Sequence, residues 1–418
     1  MFLGVKQMKN KHIYTTKNGL KVLYVYKPEF YKSYVGIGVN YGNRDLEFVL
    51  HGKKYVTPSG TAHFIEHKLF QLPDKDAFAE FAKLNVTANA YTSNEKTIYY
   101  FTTTSKIDAP LKVLLEMYWT PYFTKEDVEK EKDIILSELS MYEDIPDAKF
   151  SQKILDTLYP KSFLAQPVAG TKESVQNIQV EDLFTAYQAF YTTDNSYLVI
   201  VSNQKREEVL ALVEETMATF KVHRGLQPNK RESFQELKKK NLTVLADVEQ
   251  TTASLAIRME ADETMPLFCN YIIGILDSIL SPMSEFYNEL YKKKAFIADI
   301  EYYVVTLRDA SYAVISTISK TPQVFLKEVR KKLSHLKPSD LNLDILNLYL
   351  KHMKAKSILE QDSVETLGEE ILTLALEGIS YYEEVERSLS MHIEDYYEYL
   401  SYITQGKMLT AICKNSKN

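Results

Sequence analysis

The strongest constraint on this fold is an order of elements that runs through the chain twice. In the first pass, Asn18-Gly19 separates two β-rich runs over Tyr14–Tyr26, a strong hairpin signal. Tyr34–Tyr41 reads as a strand, Thr61–Leu72 and Asp76–Leu84 as helices, and Thr87–Ser93 with Thr97–Thr104 as paired strands rich in Thr and Tyr. Helices are predicted over Asp108–Tyr118, over about Thr124–Tyr142 with Thr124 as N-cap, and over Ala148–Leu158 and Val180–Phe190. An apolar strand at Ser196–Ser202 and a helix from Arg206 to Phe220 close the pass. Residues 223–241 change character, with Gly225, Pro228, Asn229 and Lys238-Lys239-Lys240, and read as a linker. The second pass predicts a strand at Ala253–Met259, helices at Pro266–Ile279 and Glu285–Lys293, and strands at Ile300–Val305 and Ser311–Ile318. Helices near Gln323–Leu336, Ser339–Ile358, Ser363–Glu377 and Ile393–Tyr399 lead to a last strand at Met408–Cys413. Neither pass alternates strand and helix regularly, so α+β domains are expected rather than a doubly wound parallel sheet. The expectation is two domains of similar fold, residues 1–222 and 242–418, with 223–241 between them.

Composition removes several function classes. Lys+Arg 50 against Asp+Glu 56 gives a net charge of −6, against the basic face of a general nucleic-acid binder, so no nucleic-acid partner is expected. The two cysteines, Cys269 and Cys413, supply no disulfide framework and fit a reducing compartment. The apolar run in Met1–Lys9 is short for a signal peptide, and Asp277 interrupts the apolar run Tyr271–Leu280. A cytoplasmic protein without membrane insertion is expected.

The chemistry concentrates in Thr61–Phe70, Thr-Ala-His-Phe-Ile-Glu-His-Lys-Leu-Phe. His63, Glu66 and His67 form an H-x-x-E-H pattern. On a helix these side chains fall within an arc of about 100°. Two imidazoles one turn apart can grip one metal ion, and the carboxylate between them is placed to act as general base on water. Zinc suits such N and O donors and keeps a position open in catalytic sites. An exposed polar helix face is the plainer alternative, but Phe64, Ile65, Leu69 and Phe70 surround the polar residues, and the pattern matches the inverzincin motif. The other six histidines lack this spacing.

A third ligand is required. Along Glu129–Tyr142, helical spacing puts Glu131, Ile134, Ile135 and Glu138 on one stripe, while Glu129 and Asp133 point away. A carboxylate on an apolar stripe needs a partner, and a metal or a hydrogen bond would supply one. Two solvated helix carboxylates are the alternative.

With these residues in place, the sequence resembles the insulinase/pitrilysin family of inverzincin metallopeptidases, most of all its small bacterial members related to mitochondrial processing peptidase. Gly60-Thr61-Ala62 leads into the motif as in that family, and Glu131–Glu138 matches its paired glutamates. The resemblance implies one Zn²⁺ per chain, held by His63, His67 and Glu138. Glu66 would be the general base and Glu131 a carboxylate that orients the site. Asn89-Ala90-Tyr91-Thr92 matches the strand that holds the substrate backbone in the family, which makes Asn89 and Ala90 candidate peptide-binding residues by strand addition. Val86-Thr87-Ala88 stands where the family often has glycines. Gly170-Thr171, Tyr191 and Asn195 match a further stretch and read as structural. The implied fold is two homologous domains, each a mainly antiparallel sheet packed with helices, forming half of a clamshell.

The second half departs from that pattern. Active members bring an Arg and a Tyr, seven apart, to the zinc cleft, where they stabilise the developing oxyanion. Here Tyr291 and Ala298 occupy those positions, and the nearest later arginine is Arg308. The chain carries the zinc half of a site and lacks the oxyanion half. The expectation is a zinc metalloendopeptidase subunit acting on short or unfolded peptides, the catalytic half of a heterodimer whose homologous partner supplies the Arg/Tyr pair. A homodimer using Lys292–Lys294 is a weaker fit, since lysine lacks the planar fork of arginine. The rival class is a non-catalytic peptide-binding scaffold with a structural zinc.

Overall fold

The computed structural model describes residues 13–227, 232–260 and 267–416. Pro228 and Asn229 of the expected linker, Pro266 and the Met1–Lys9 run lie outside the described residues. The chain divides into two compact units: Met1–Met141, Gln166–Asn229 and Ile358–Glu383 form the first, and Tyr142–Ala165, Lys230–Ser357 and Glu384–Asn418 the second.

Strands of the first unit are β1 (Ile13–Thr15), β2 (Lys21–Tyr26), β3 (Ser33–Val39), β4 (Glu47–Leu50), β5 (Lys53–Val56), β6 (Thr87–Thr92), β7 (Thr97–Thr103) and β8 (Ser196–Ser202). Apart from the small β4–β5 hairpin, they form one sheet in the order β1-β2-β8-β3-β7-β6. Those of the second unit are β9 (Asn241–Ala246), β10 (Thr252–Met259), β11 (Glu301–Thr306), β12 (Ser311–Ile318) and β13 (Lys407–Asn415), ordered β11-β12-β10-β13-β9. Read from the other edge, β9-β13-β10-β12-β11 repeats β2-β8-β3-β7-β6. In both, the first pair is parallel and the other three antiparallel. The duplicated order of elements is thus a duplicated sheet topology, and the domains are α+β with mainly antiparallel sheets.

Central strands are covered on both faces: every residue of β3 is buried, as are all of β10 but Thr252. A sheet buried on both sides needs helices on both, and the second layer comes from distant sequence. In the first unit the Val364–Leu376 helix packs on β3 and β8, with Leu372 and Leu376 against Gly38. In the second, the Pro146–Leu158 helix packs on β9, β10 and β13, and the Tyr159 hydroxyl donates to the Ser311 carbonyl at 2.7 Å. Residues 142–165 and 358–383 therefore belong to units other than those their position in the chain suggests. An amphipathic pattern says that one helix face is buried, not which sheet it meets. No helix of the described residues is long and apolar enough to cross a membrane.

Candidate metal centre

The H-x-x-E-H residues lie on a helix spanning Thr61–Leu69 in the first unit. Phe64, Ile65 and Leu69 are fully buried and fix its inner face, which packs on the Val180–Phe190 helix and on β6 and β7. His67 and Lys68 in its last turn complement the helix dipole. Its start is set by Gly60, at φ 92, where a Cβ would lie 2.6 Å from the Ala169 carbonyl oxygen. Gly170 reciprocates, since a Cβ there would meet the Ser59 carbonyl oxygen at 2.5 Å. Gly60→Ala is expected to cost about 1–3 kcal/mol in unfolding free energy, from strain plus a backbone clash. Gly52→Ala, also at positive φ but with nothing within 4 Å, is the control and should cost less in the same thermal unfolding experiment.

The second contributing helix spans Lys125–Glu143. Its buried stripe is Val128, Lys132, Ile135 and Leu139, one position removed from the stripe expected from sequence. Ile134 is 56% exposed, so it does not share an apolar face with the glutamates. Glu131 and Glu138 instead flank the buried stripe, with side chains 14% and 26% exposed, and face the histidines.

His63, His67 and Glu138 converge, with one donor atom from each within 4.8 Å of the others. Glu138 Oε2 is 3.8 Å from His63 Nε2 and 3.7 Å from His67 Nε2. These separations are too long for hydrogen bonds. They approach the edge of about 3.4 Å between donors each about 2.1 Å from a tetrahedral zinc. His67 Nδ1 lies 3.0 Å from Glu131 Oε1. A carboxylate only accepts, so Nδ1 carries the proton and Nε2 presents its lone pair to the cluster. The donor set and the tautomer fit zinc.

Electrostatics agree with those roles. Burial, aided by the neighbouring His67, lowers the His63 pKa to about 4 and keeps its ring neutral. Burial also opposes charge on His67, but the Glu131 hydrogen bond and the surrounding carboxylates outweigh it and raise His67 above its usual value. Burial acts to raise Glu131, yet His67 and Lys68 hold it below the usual carboxylate range. Burial raises Glu66, partly offset by the Thr92 hydroxyl, which donates to Oε2 at 2.7 Å.

A cavity of about 650 Å³ opens beside the cluster, lined in part by Glu66, His67, Glu131, Asn89, Ala90 and Phe78. Asn89 and Ala90 lie on β6, the edge strand of its sheet. Asn89 Oδ1 accepts from the Ala90 N–H at 2.9 Å, so the amide is already occupied by its neighbour's side chain. The sequence pattern pointed to the cluster and to the stretch containing Thr92, but not to the Thr92–Glu66 bond or to Lys68. Thr92 was detectable two residues beyond Ala90, on the same face of the strand. The segment expected to carry Arg and Tyr is in the second unit, where Tyr291 lies in the last turn of a helix spanning Glu285–Lys292 and is 67% exposed.

Two family models match in succession. Residues 21–172 match insulinase (peptidase family M16), and residues 177–351 match the peptidase M16 inactive domain. The chain belongs to the M16 insulinase family. It is 38% identical over 200 residues to YmfH of Bacillus subtilis, an uncharacterized zinc protease, covering 47% of each chain. It is 28% identical over 223 residues to an uncharacterized zinc protease of Rickettsia felis, covering 51% of each. These matches span about half the length of the curated relatives. An M16-like protein from Alicyclobacillus acidocaldarius shares the fold, with a TM-score of 0.87 at 24% identity over 97% of this chain and 98% of the other. The insulinase match takes in His63, His67 and Glu138, and the inactive-domain match takes in Tyr291 and Ala298.

Proposed function

We propose that this chain is a zinc metalloendopeptidase subunit that hydrolyses peptide bonds in short or unfolded peptides. The observation that carries the reading is the convergence of His63, His67 and Glu138 beside the buried Glu66. Zinc, when bound, supplies the Lewis acidity that polarises a carbonyl and makes water more acidic. His63, His67 and Glu138 are its ligands, and Glu131 holds the His67 ring. Glu66 takes a proton from the attacking water and returns it to the leaving amine. The Thr92 hydroxyl, which donates to Oε2 at 2.7 Å, fixes the carboxylate for that role. A structural zinc site is normally closed by four protein ligands, whereas among the described residues three donors meet here, which favours catalysis over the scaffold reading.

Substrate class follows from β6. An edge strand beside the site favours an extended peptide that adds by main-chain hydrogen bonds and takes over the Ala90 N–H from Asn89. Most main-chain groups of a folded protein are already paired internally, so short or unfolded chains fit this edge best. The Arg/Tyr pair is missing at Tyr291 and Ala298, so a homologous partner subunit supplies it in a heterodimer. The compartment that fits is the cytoplasm.

Chelator competition tests the metal assignment. The purified chain should take up one equivalent of zinc, lose it to a chelator and regain it. Ligation needs neutral imidazoles, so protons compete. His67, raised above 6.5, gains its second proton first as pH falls, while His63 stays neutral down to about 4. Zinc uptake should therefore weaken as pH falls through the His67 titration and recover above it. Uptake that is flat across this range would contradict ligation by His67.

A further inference from the structure

We propose that Lys68 is a positioning residue of the metal centre: its buried ammonium holds Glu131, and through Glu131 the His67 ring. The inference rests on the zinc reading above.

Lysine side chains normally extend to water, but the Lys68 side chain is 3% exposed. Its ammonium finds Glu131 Oε2 at 3.4 Å and the Gln71 side-chain oxygen. Glu131 is thereby divided between two partners, Oε1 facing His67 Nδ1 and Oε2 facing Lys68. A carboxylate held at one oxygen can still rotate; held at both, it fixes the imidazole it faces. Gln71 in turn bonds Asp127, so the network joins the end of the motif helix to the first turn of the Lys125–Glu143 helix.

Charge gives the same answer. Glu66, Glu131 and Glu138 bring three formal negative charges to this site. A divalent cation leaves one uncompensated, and Lys68 cancels it. Buried ion pairs add little net stability compared with apolar replacements, so stability alone does not account for a lysine here. The pair places a charge and a direction on His67.

The test is a double-mutant cycle read as zinc affinity by chelator competition, with thermal unfolding confirming that each variant folds. Lys68→Met should weaken zinc binding by about 10–100-fold. In the Glu131→Gln background the same substitution should change it by less than about 3-fold, because the group it acts through is gone. The visible bands of the Co²⁺-substituted chain, set by ligand orientation, should shift in Lys68→Met, while Glu131→Gln and the double variant superimpose. If Lys68→Met does not fold, Lys68→Gln keeps hydrogen-bonding capacity without the charge and replaces it in the cycle. Equal losses in both backgrounds, or no loss in either, overturn the inference while leaving the zinc reading intact. A wild-type chain that takes up no zinc overturns both.

Discussion

Replacing Glu66 with Gln is expected to reduce peptide hydrolysis by about 10²–10⁴-fold while zinc content stays near one per chain. The substitution keeps the size of the side chain and can keep the Thr92 hydroxyl as a partner, but it removes the basic oxygen. It leaves the cluster His63, His67 and Glu138 untouched. Cleavage of an internally quenched unfolded peptide, followed alongside metal content, separates the two properties. A variant that retains zinc and loses cleavage supports a general base. Unchanged cleavage contradicts it.

The second large effect concerns the partner. Alone, the chain should bind zinc yet cleave slowly if, as proposed, Tyr291 and Ala298 stand where an oxyanion-stabilising pair is needed. Adding a homologous chain that carries Arg and Tyr but lacks H-x-x-E-H should raise the rate by about 10²–10³-fold, the usual worth of one such donor. Changing that partner's Arg to Lys should forfeit most of the gain, since an ammonium cannot make the forked contact. Full activity from the pure monomer or homodimer contradicts the two-subunit account.

The parts of this site legible in sequence are those fixed by short-range geometry. His63, Glu66 and His67 must share a helix face whatever surrounds them, and the seven-residue spacing of Glu131 and Glu138 does the same on a second helix. The surroundings were less legible. Ile134 looks like a core residue by spacing, but the core side is taken by Val128, Ile135 and Leu139. Lys68 follows a motif histidine with no local signal of burial, and its buried partner Glu131 lies 63 residues away. The β4–β5 hairpin was not anticipated because its exposed, Lys-containing strands carry a weak apolar alternation around a turn at His51-Gly52, both at positive φ. The duplicated topology was visible as an order of elements. The assignment of residues 142–165 and 358–383 to their units was not, since helix amphipathicity does not name its partner sheet.

Metal content of the purified wild-type chain and of Glu138→Gln, measured side by side by elemental analysis, tests the central claim most directly. Glu138 is the proposed ligand farthest in sequence from the motif, and its placement depends on the fold bringing two helices together. The account predicts about one zinc per wild-type chain and near none after Glu138→Gln at the same chelator concentration. A wild-type chain without zinc, or a Glu138→Gln variant that retains it, would contradict the account.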